Sequence, residues 1–148
     1  MLSYPPGTFI PLAIATHGLV GLVLGSVLFD RPIAGLAAGL APDADFLLPE
    51  LLGWPFVHRG ITHAAVALLA GLALGAVLGD RRTWGALAAA YGSHLLIDIT
   101  TPKGIPLFYP LLDDRLYLDI GIGGHAPETT LALWVLCLGA IGYRYRGW

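Results

Sequence analysis

The chain has 148 residues, 56% of them hydrophobic and 12% charged, against about 25% charged in ordinary soluble domains. A mean hydropathy of +0.73 and twenty Gly placed inside apolar runs point to an integral membrane protein, since transmembrane helices tolerate Gly. A net charge of −2 leaves no basic footprint for nucleic acid, and a single Cys137 excludes a disulfide framework and a Cys-based zinc site. We expect one integral membrane domain over residues 1–148, all-α, a transmembrane bundle of about five helices with one of them short or re-entrant. The first residues show no basic region and no clear cleavage site, so no signal peptide is expected.

A bilayer core of ~30 Å takes ~20 apolar residues in a helix. Thr8–Phe29 meets this, interrupted only by His17. Asp30-Arg31-Pro32 is a tight polar turn, with Pro32 suited to a first helical position. Ile33–Ala41 is apolar but reaches only about half-way across a membrane at ~1.5 Å per residue, and Pro42-Asp43-Ala44-Asp45 ends it. Phe46–Val57 is mixed and reads as an interfacial or re-entrant piece whose aromatics form an interface belt. Thr62–Leu78 and Trp84–Ile99 are further spans, the second carrying Ser93, His94 and Asp98. Thr100–Pro127 is a long polar connection, and Thr129–Tyr143 is a last span. Residues 143–148 close the chain as an aromatic and basic anchor.

Gly21/Gly25, Gly35/Gly39 and Gly71/Gly75/Gly79 repeat every four residues, spacing that lets helix backbones approach closely. Packing within the chain is the plainer reading. The same stripes would also serve a homo-oligomer.

Alternating the five segments places both polar turns (at Asp30-Arg31 and Asp80–Arg82) and the C-terminal tail on one face. That face carries Arg31, Arg81, Arg82, Arg144 and Arg146, whereas Arg59, Lys103 and Arg115 lie opposite. The bias favours a cytoplasmic tail and an external opposite face. Of the ten acidic residues only Asp30 and Asp80 fall on the tail face. The rest, with His58, His63, His94 and His125, fall on the other half, and His17 lies roughly 14 Å below that face at helical rise. Ionisable groups at membrane depth are costly and by default mark function. Irregular backbone there must line a protein cavity or water. A single polar cavity, open to the non-tail face and reaching mid-membrane, is therefore expected.

His94 and Asp98, spaced i and i+4, project from one helix face as a two-ligand platform for a divalent metal. Asp43 and Asp45 have the chemistry to ligate, to bridge two metals, or to orient histidines. His58 and His63 flank Gly60 and a helix start at Thr62, whose positive end would favour anions. Arg59 adds a fork suited to phosphate or carboxylate. Imidazole and carboxylate without thiolate suit zinc first, then manganese or iron. Such an ion lowers the pKa of a bound water, and a pair of ions clamps the attacking and leaving oxygens of a phosphoester. Each residue also has a plainer reading: His17 as an interhelical hydrogen bonder, Asp43 as a helix cap, Arg59 paired with Asp43 or Asp45, and His94 with Asp98 as a structural pair. Convergence on one side favours a metal site. His125, in a Gly-rich loop, is expected to be peripheral. Asp113, Asp114, Arg115 and Asp119 read as a solvated loop.

His17, Pro42-Asp43-Ala44-Asp45, His58-Arg59-Gly60-Ile61-Thr62-His63 and Gly92-Ser93-His94-Leu95-Leu96-Ile97-Asp98, running on through Thr100-Thr101-Pro102-Lys103-Gly104 to Pro110, resemble one family. It is the YdjM-like family of inner-membrane, LexA-binding, metal-dependent hydrolases. The resemblance implies His17, Asp43, Asp45, His58, His63, His94 and Asp98 as metal ligands. This chain has Phe46 where the family often has His, and Ala64 where it usually has Ser. Glu128 is a further candidate from topology alone.

The expected function is a multi-pass membrane hydrolase with one or two divalent ions, cleaving a phosphoester of a lipid headgroup or another phosphorylated small molecule. His58, Arg59 and Asp45 would be its catalytic groups, and Arg59 and Lys103 would hold the phosphate. The rivals are a divalent-cation or proton transporter, which needs polar groups on both sides, and a non-catalytic membrane scaffold.

Overall fold

The computed structural model describes residues 3–146; Gly147 and Trp148 of the expected C-terminal anchor lie outside the described residues. Among the described residues five α-helices form in chain order: α1 (Phe9–Phe29), α2 (Pro32–Leu40), α3 (Ala65–Leu78), α4 (Arg81–Ile99) and α5 (Pro127–Arg144). Short 3-10 turns occupy Pro42–Leu47, Glu50–Leu52 and Ile61–His63. Among the described residues there is no strand, only an isolated antiparallel bridge between Ile105 and Leu116.

The α1–α2 hairpin is closed by Asp30, whose left-handed backbone (φ 60°) lets its N–H reach the carbonyls of Gly25 and Ser26. Pro32 starts α2 at its first turn, as its fixed φ allows. The two helices then pack backbone to backbone. A Cβ at Gly21 would stand 2.4 Å from the Gly35 oxygen, and one at Gly35 would stand 2.2 Å from the Gly21 oxygen. These two stripes are therefore intramolecular contacts. The α3 stripe differs: Gly71 has nothing within 4 Å, and Gly75 meets side chains of α4. Helix α4 packs against α1 and α2 through the fully buried Ala86 and Ala90. Helix α5 lies on α1, and α3 lies on α4.

Three helix starts differ from the sequence expectation. Thr62 does not begin α3; residues 61–63 form a separate 3-10 turn, and α3 opens at Ala65, whose N–H donates to Leu107 O at 2.9 Å. The long loop, remote in sequence, sets that boundary. Helix α4 begins at Arg81 rather than Trp84 because Asp80 caps it, accepting from the Thr83 N–H at 2.7 Å. Helix α5 begins at Pro127 rather than Thr129, again with proline in its first turn.

The turns and the tail do meet at one end. Arg144 donates to Asp30 at 2.6 Å, Arg82 approaches Asp30 at 3.9 Å, Arg31 pairs with Asp80, and Ser26 Oγ lies 3.0 Å from Tyr145 Oη. The Thr83 amide and Arg31 hold the Asp80 carboxyl down at about 2.

Helix α1 has the length and apolar composition to cross a membrane; Ala65–Val77 is apolar but shorter. Helices α3 and α5 turn apolar residues outward: Leu69, Leu74 and Val77 on one, and Leu131, Val135 and Leu136 on the other, are all exposed.

A buried histidine–aspartate cluster

All five histidines of the chain meet in one place, with Asp43, Asp45 and Asp98. His17 comes from α1, Asp43 and Asp45 from the 3-10 turn after α2, His58 and His63 from the loop before α3, His94 and Asp98 from α4, and His125 from the loop before α5. His17, Asp43, Asp45, His63, His94, Asp98 and His125 are buried.

The centre is Asp98. Its Oδ1 lies 2.9 Å from His125 Nε2, 3.4 Å from His17 Nε2, and accepts from Arg59 Nη2 at 2.7 Å. Its Oδ2 faces His63 Nε2 at 3.3 Å and His94 Nε2 at 3.7 Å. The two oxygens thus belong to two different histidine pairs. Asp43 Oδ1 sits 3.8 Å from His63 Nε2 and 3.7 Å from His94 Nε2.

Two of the rings are held from behind. His94 Nδ1 donates to the Gly39 carbonyl at 2.8 Å. Gly39 reaches that position because it has no side chain: a Cβ there would stand 2.5 Å from the His17 oxygen of α1. His63 Nδ1 lies 3.0 Å from Thr62 Oγ1 and 3.3 Å from Asp45 Oδ2. A neutral imidazole has one N–H, and these partners place it on Nδ1. The bare Nε2 atoms of His63 and His94 then face each other at 3.2 Å. Two lone pairs at that distance repel unless a proton or a metal cation lies between them.

Asp45 stands behind the cluster. Its Oδ1 accepts from His58 Nδ1 at 3.0 Å; its Oδ2 accepts from the Arg59 N–H at 3.1 Å and from Thr62 Oγ1 at 2.8 Å. Burial pushes its carboxyl up, but the hydrogen bonds from His58, His63 and Thr62 prevail and hold it well below the usual carboxylate range. His58 is also stacked on Phe46, with ring centroids 3.9 Å apart. Thr62 is fixed in turn, since Tyr91 Oη donates to its carbonyl.

Arg59 adopts φ 62°, which few residues other than glycine tolerate, and this turns its side chain inward. It pairs with neither Asp43 nor Asp45 through its guanidinium. Nη2 is bound to Asp98, and Nη1 donates to Thr101 Oγ1, whose own hydroxyl lies 2.7 Å from the Asp98 carbonyl. Lys103 is exposed on the wall of the adjoining cavity, its pKa lowered by burial and by Arg59.

Among the described residues four sets of three place a ligand atom each within 4.8 Å of one another: His17, Asp43 and His94; His17, Asp98 and His125; Asp43, His58 and His63; and His63, His94 and Asp98. These groups could hold a metal ion. The donor set fits one. It is imidazole and carboxylate throughout, and His17 Nδ1, His125 Nδ1 and Asp43 Oδ2 are buried without a hydrogen-bond partner. Buried polar atoms are normally satisfied; here the Nε2 atoms of His17 and His125 face Asp98 Oδ1 while their Nδ1 atoms lack a partner.

Of the residues expected from sequence, His17, Asp43, His58, His63, His94 and Asp98 all enter these sets, whereas Asp45 enters none and touches the histidines from outside. Glu128 is exposed on the first turn of α5 and is in none of them. His125 is not peripheral. It is buried, 3.1 Å from His17 Nε2, and belongs to one set. No local pattern in the sequence marks it. A Cβ at Gly124 would stand 2.3 Å from the Ile97 oxygen, so that loop is built to press against the end of α4.

The model of the family described as YdjM inner membrane protein matches residues 12–148, a span that includes the whole cluster. The chain belongs to that family. Its membrane location follows from the family and from α1. A relative described as "Uncharacterized protein ORF4'" of Methanothermobacter thermautotrophicus is 29% identical over 124 residues, 72% of this chain. The chain spans about half (53%) the length of that relative. No solved structure matches.

Proposed function

We propose that this member of the family is a multi-pass membrane hydrolase that cleaves a phosphoester at the histidine–aspartate cluster with one or two bound divalent ions. The observation that carries the reading is the convergence of five histidines on Asp98, Asp43 and Asp45 in a buried setting with unsatisfied donors and acceptors. His63, His94 and Asp98 would hold one ion, and His17, His125 and the other oxygen of Asp98 a second. When bound, such an ion supplies a Lewis acid that activates water at neutral pH. Zinc suits the donors best, with manganese and iron next.

The chain's own residues divide the remaining work. Asp45 holds the Nδ1–H of His58 and helps hold that of His63, which keeps both Nε2 atoms free toward the cluster. His58, the half-buried histidine on the cavity wall, would give a proton to a leaving oxygen only as the imidazolium, with Nδ1–H held by Asp45 and a second proton taken up on Nε2 from the attacking water. Arg59 neutralises Asp98, and Lys103 stands beside it as the exposed cation facing an incoming phosphate. Multi-pass insertion is supported by the outward apolar faces of α3 and α5, since soluble monomers rarely expose such surface contiguously. Helices α4 and α5 would run about 28 and 27 Å at helical rise. The transporter alternative draws no support from the tail half. There α1, α2 and α4 close on one another through Gly21, Gly35, Ala86 and Ala90.

The test is hydrolysis of a chromogenic phosphomonoester and phosphodiester by protein in lipid bilayers, with zinc or manganese added after chelator treatment. Metal-dependent turnover that disappears in Asp98→Asn supports the reading. Absence of turnover with every metal, or turnover unchanged in Asp98→Asn, overturns it.

A further inference from the structure

The cavity that reaches the cluster has a volume of about 490 Å³, and its walls are chemically divided. One wall is a single face of α1: Phe9, Ile10, Ala13 and Ile14, ending on His17. These positions share a helix face, and from Phe9 to His17 the wall is about 12 Å long at helical rise. Phe9 and Ile10 are 47% and 51% exposed, so the apolar wall is open at its outer end. Its inner end is His17, itself a member of the cluster, and its outer end stands beside another member, with the Phe9 and His125 rings 6.0 Å apart. The same lining includes His58, Arg59 and Lys103. A cavity for a small hydrophilic phosphate has no use for a 12 Å apolar wall.

We propose that the substrate is an amphiphile: a phosphoester whose hydrocarbon chain lies along Phe9, Ile10, Ala13 and Ile14 while its phosphate lies beside Lys103. The cleavage of that phosphate rests on the hydrolase reading above; the seating of the chain does not. On this account the substrate enters from the lipid past the outer end of α1 with its headgroup leading to the cluster.

A dodecyl phosphonate carrying a photoreactive diazirine in mid-chain tests this on the full chain in lipid nanodiscs after metal removal. The expected result is label on residues 9–14 that is competed by dodecyl phosphonate and not by methyl phosphonate at equal concentration. Ala13→Trp fills the wall and should lower that competed label at least ten-fold, while label on the exposed α5 residues Leu131 and Val135 serves as the reference. Ile10→Asn, at an exposed position, repeats the test with less demand on packing. Label on residues 9–14 that is not competed, or that is equal in both variants and the parent, overturns the proposal. Competed label together with absence of phosphoester turnover upholds the amphiphile site and counts against the hydrolase reading. Turnover of soluble esters without competed label does the reverse.

Discussion

Replacing Asp45 with Asn separates a residue that orients histidines from one that binds the ion. Asp45 serves His58 from Oδ1, and the Arg59 amide, Thr62 and the neighbourhood of His63 from Oδ2. Asparagine has the same shape but one accepting oxygen. The amide oxygen will stay with the Oδ2 partners, which leaves an NH₂ group against His58 Nδ1. His58 must then move its proton to Nε2 or turn away, and the contacts to His63 lose their charge. One hydrogen bond to a charged group is worth about 1.5–3 kcal/mol. Outer partners of metal-ligating histidines typically change metal affinity about 10–100-fold, which is about 1.4–2.7 kcal/mol. The two figures agree. Competition of the bilayer-embedded protein against a zinc chelator of known affinity should therefore show Asp45→Asn binding zinc about 10–100-fold more weakly, with unchanged stoichiometry. Unchanged affinity would refute the argument. Loss of a whole equivalent of zinc would also refute it, by making Asp45 a ligand.

Gly35→Val drives a side chain into the Gly21 carbonyl, a backbone atom that cannot rotate away. It should cost about 1–3 kcal/mol or more and lower the thermal midpoint in detergent, whereas Gly71→Ala, with open space around it, should not. His125→Ala removes one of the partners of Asp98 Oδ1 and should reduce bound metal by elemental analysis while leaving the helical circular dichroism intact. Asp80→Asn tests the cap of α4. The folded carboxyl lies at about 2 against an ordinary value of 3.8, so its charge stabilises the fold above pH 3.8 and that contribution is lost as pH falls toward 2. The variant should unfold earlier than the parent at pH 7, and the gap should close across that window.

The helices were legible because their cause is local. Apolar runs of the right length, Pro32 after a polar turn, and paired glycines all act within a few residues. What escaped lay in long-range contacts. The start of α3 at Ala65 depends on the Leu107 carbonyl, and no pattern near residue 65 announces it. The cap at Asp80 was hidden because a hydropathy reading places charges outside a helix, although Asp80 and Thr83 have cap spacing. In the cluster, His17, Asp43, His63, His94 and Asp98 stood out as ionisable groups in apolar surroundings, a contrast that a linear sequence preserves. His125 did not, because it sits among glycines and polar residues and is buried only by the approach of its loop to α4. The plainer alternative for Arg59, a pairing with Asp43 or Asp45, fails for a similar reason. Asp43 and Asp45 are nearer in sequence, but the left-handed turn at Arg59 sends the guanidinium to Asp98.

Every chemical role proposed for the cluster depends on bound metal. Metal binding is tested most directly by elemental analysis of protein purified without chelator, alongside Asp98→Ala and His63→Ala made in the same way. The expected result is at least one equivalent of zinc, manganese or iron per chain in the parent and well below one in both variants, with the helical spectrum retained. A parent free of stoichiometric metal at neutral pH, or variants that keep the full amount, would contradict it.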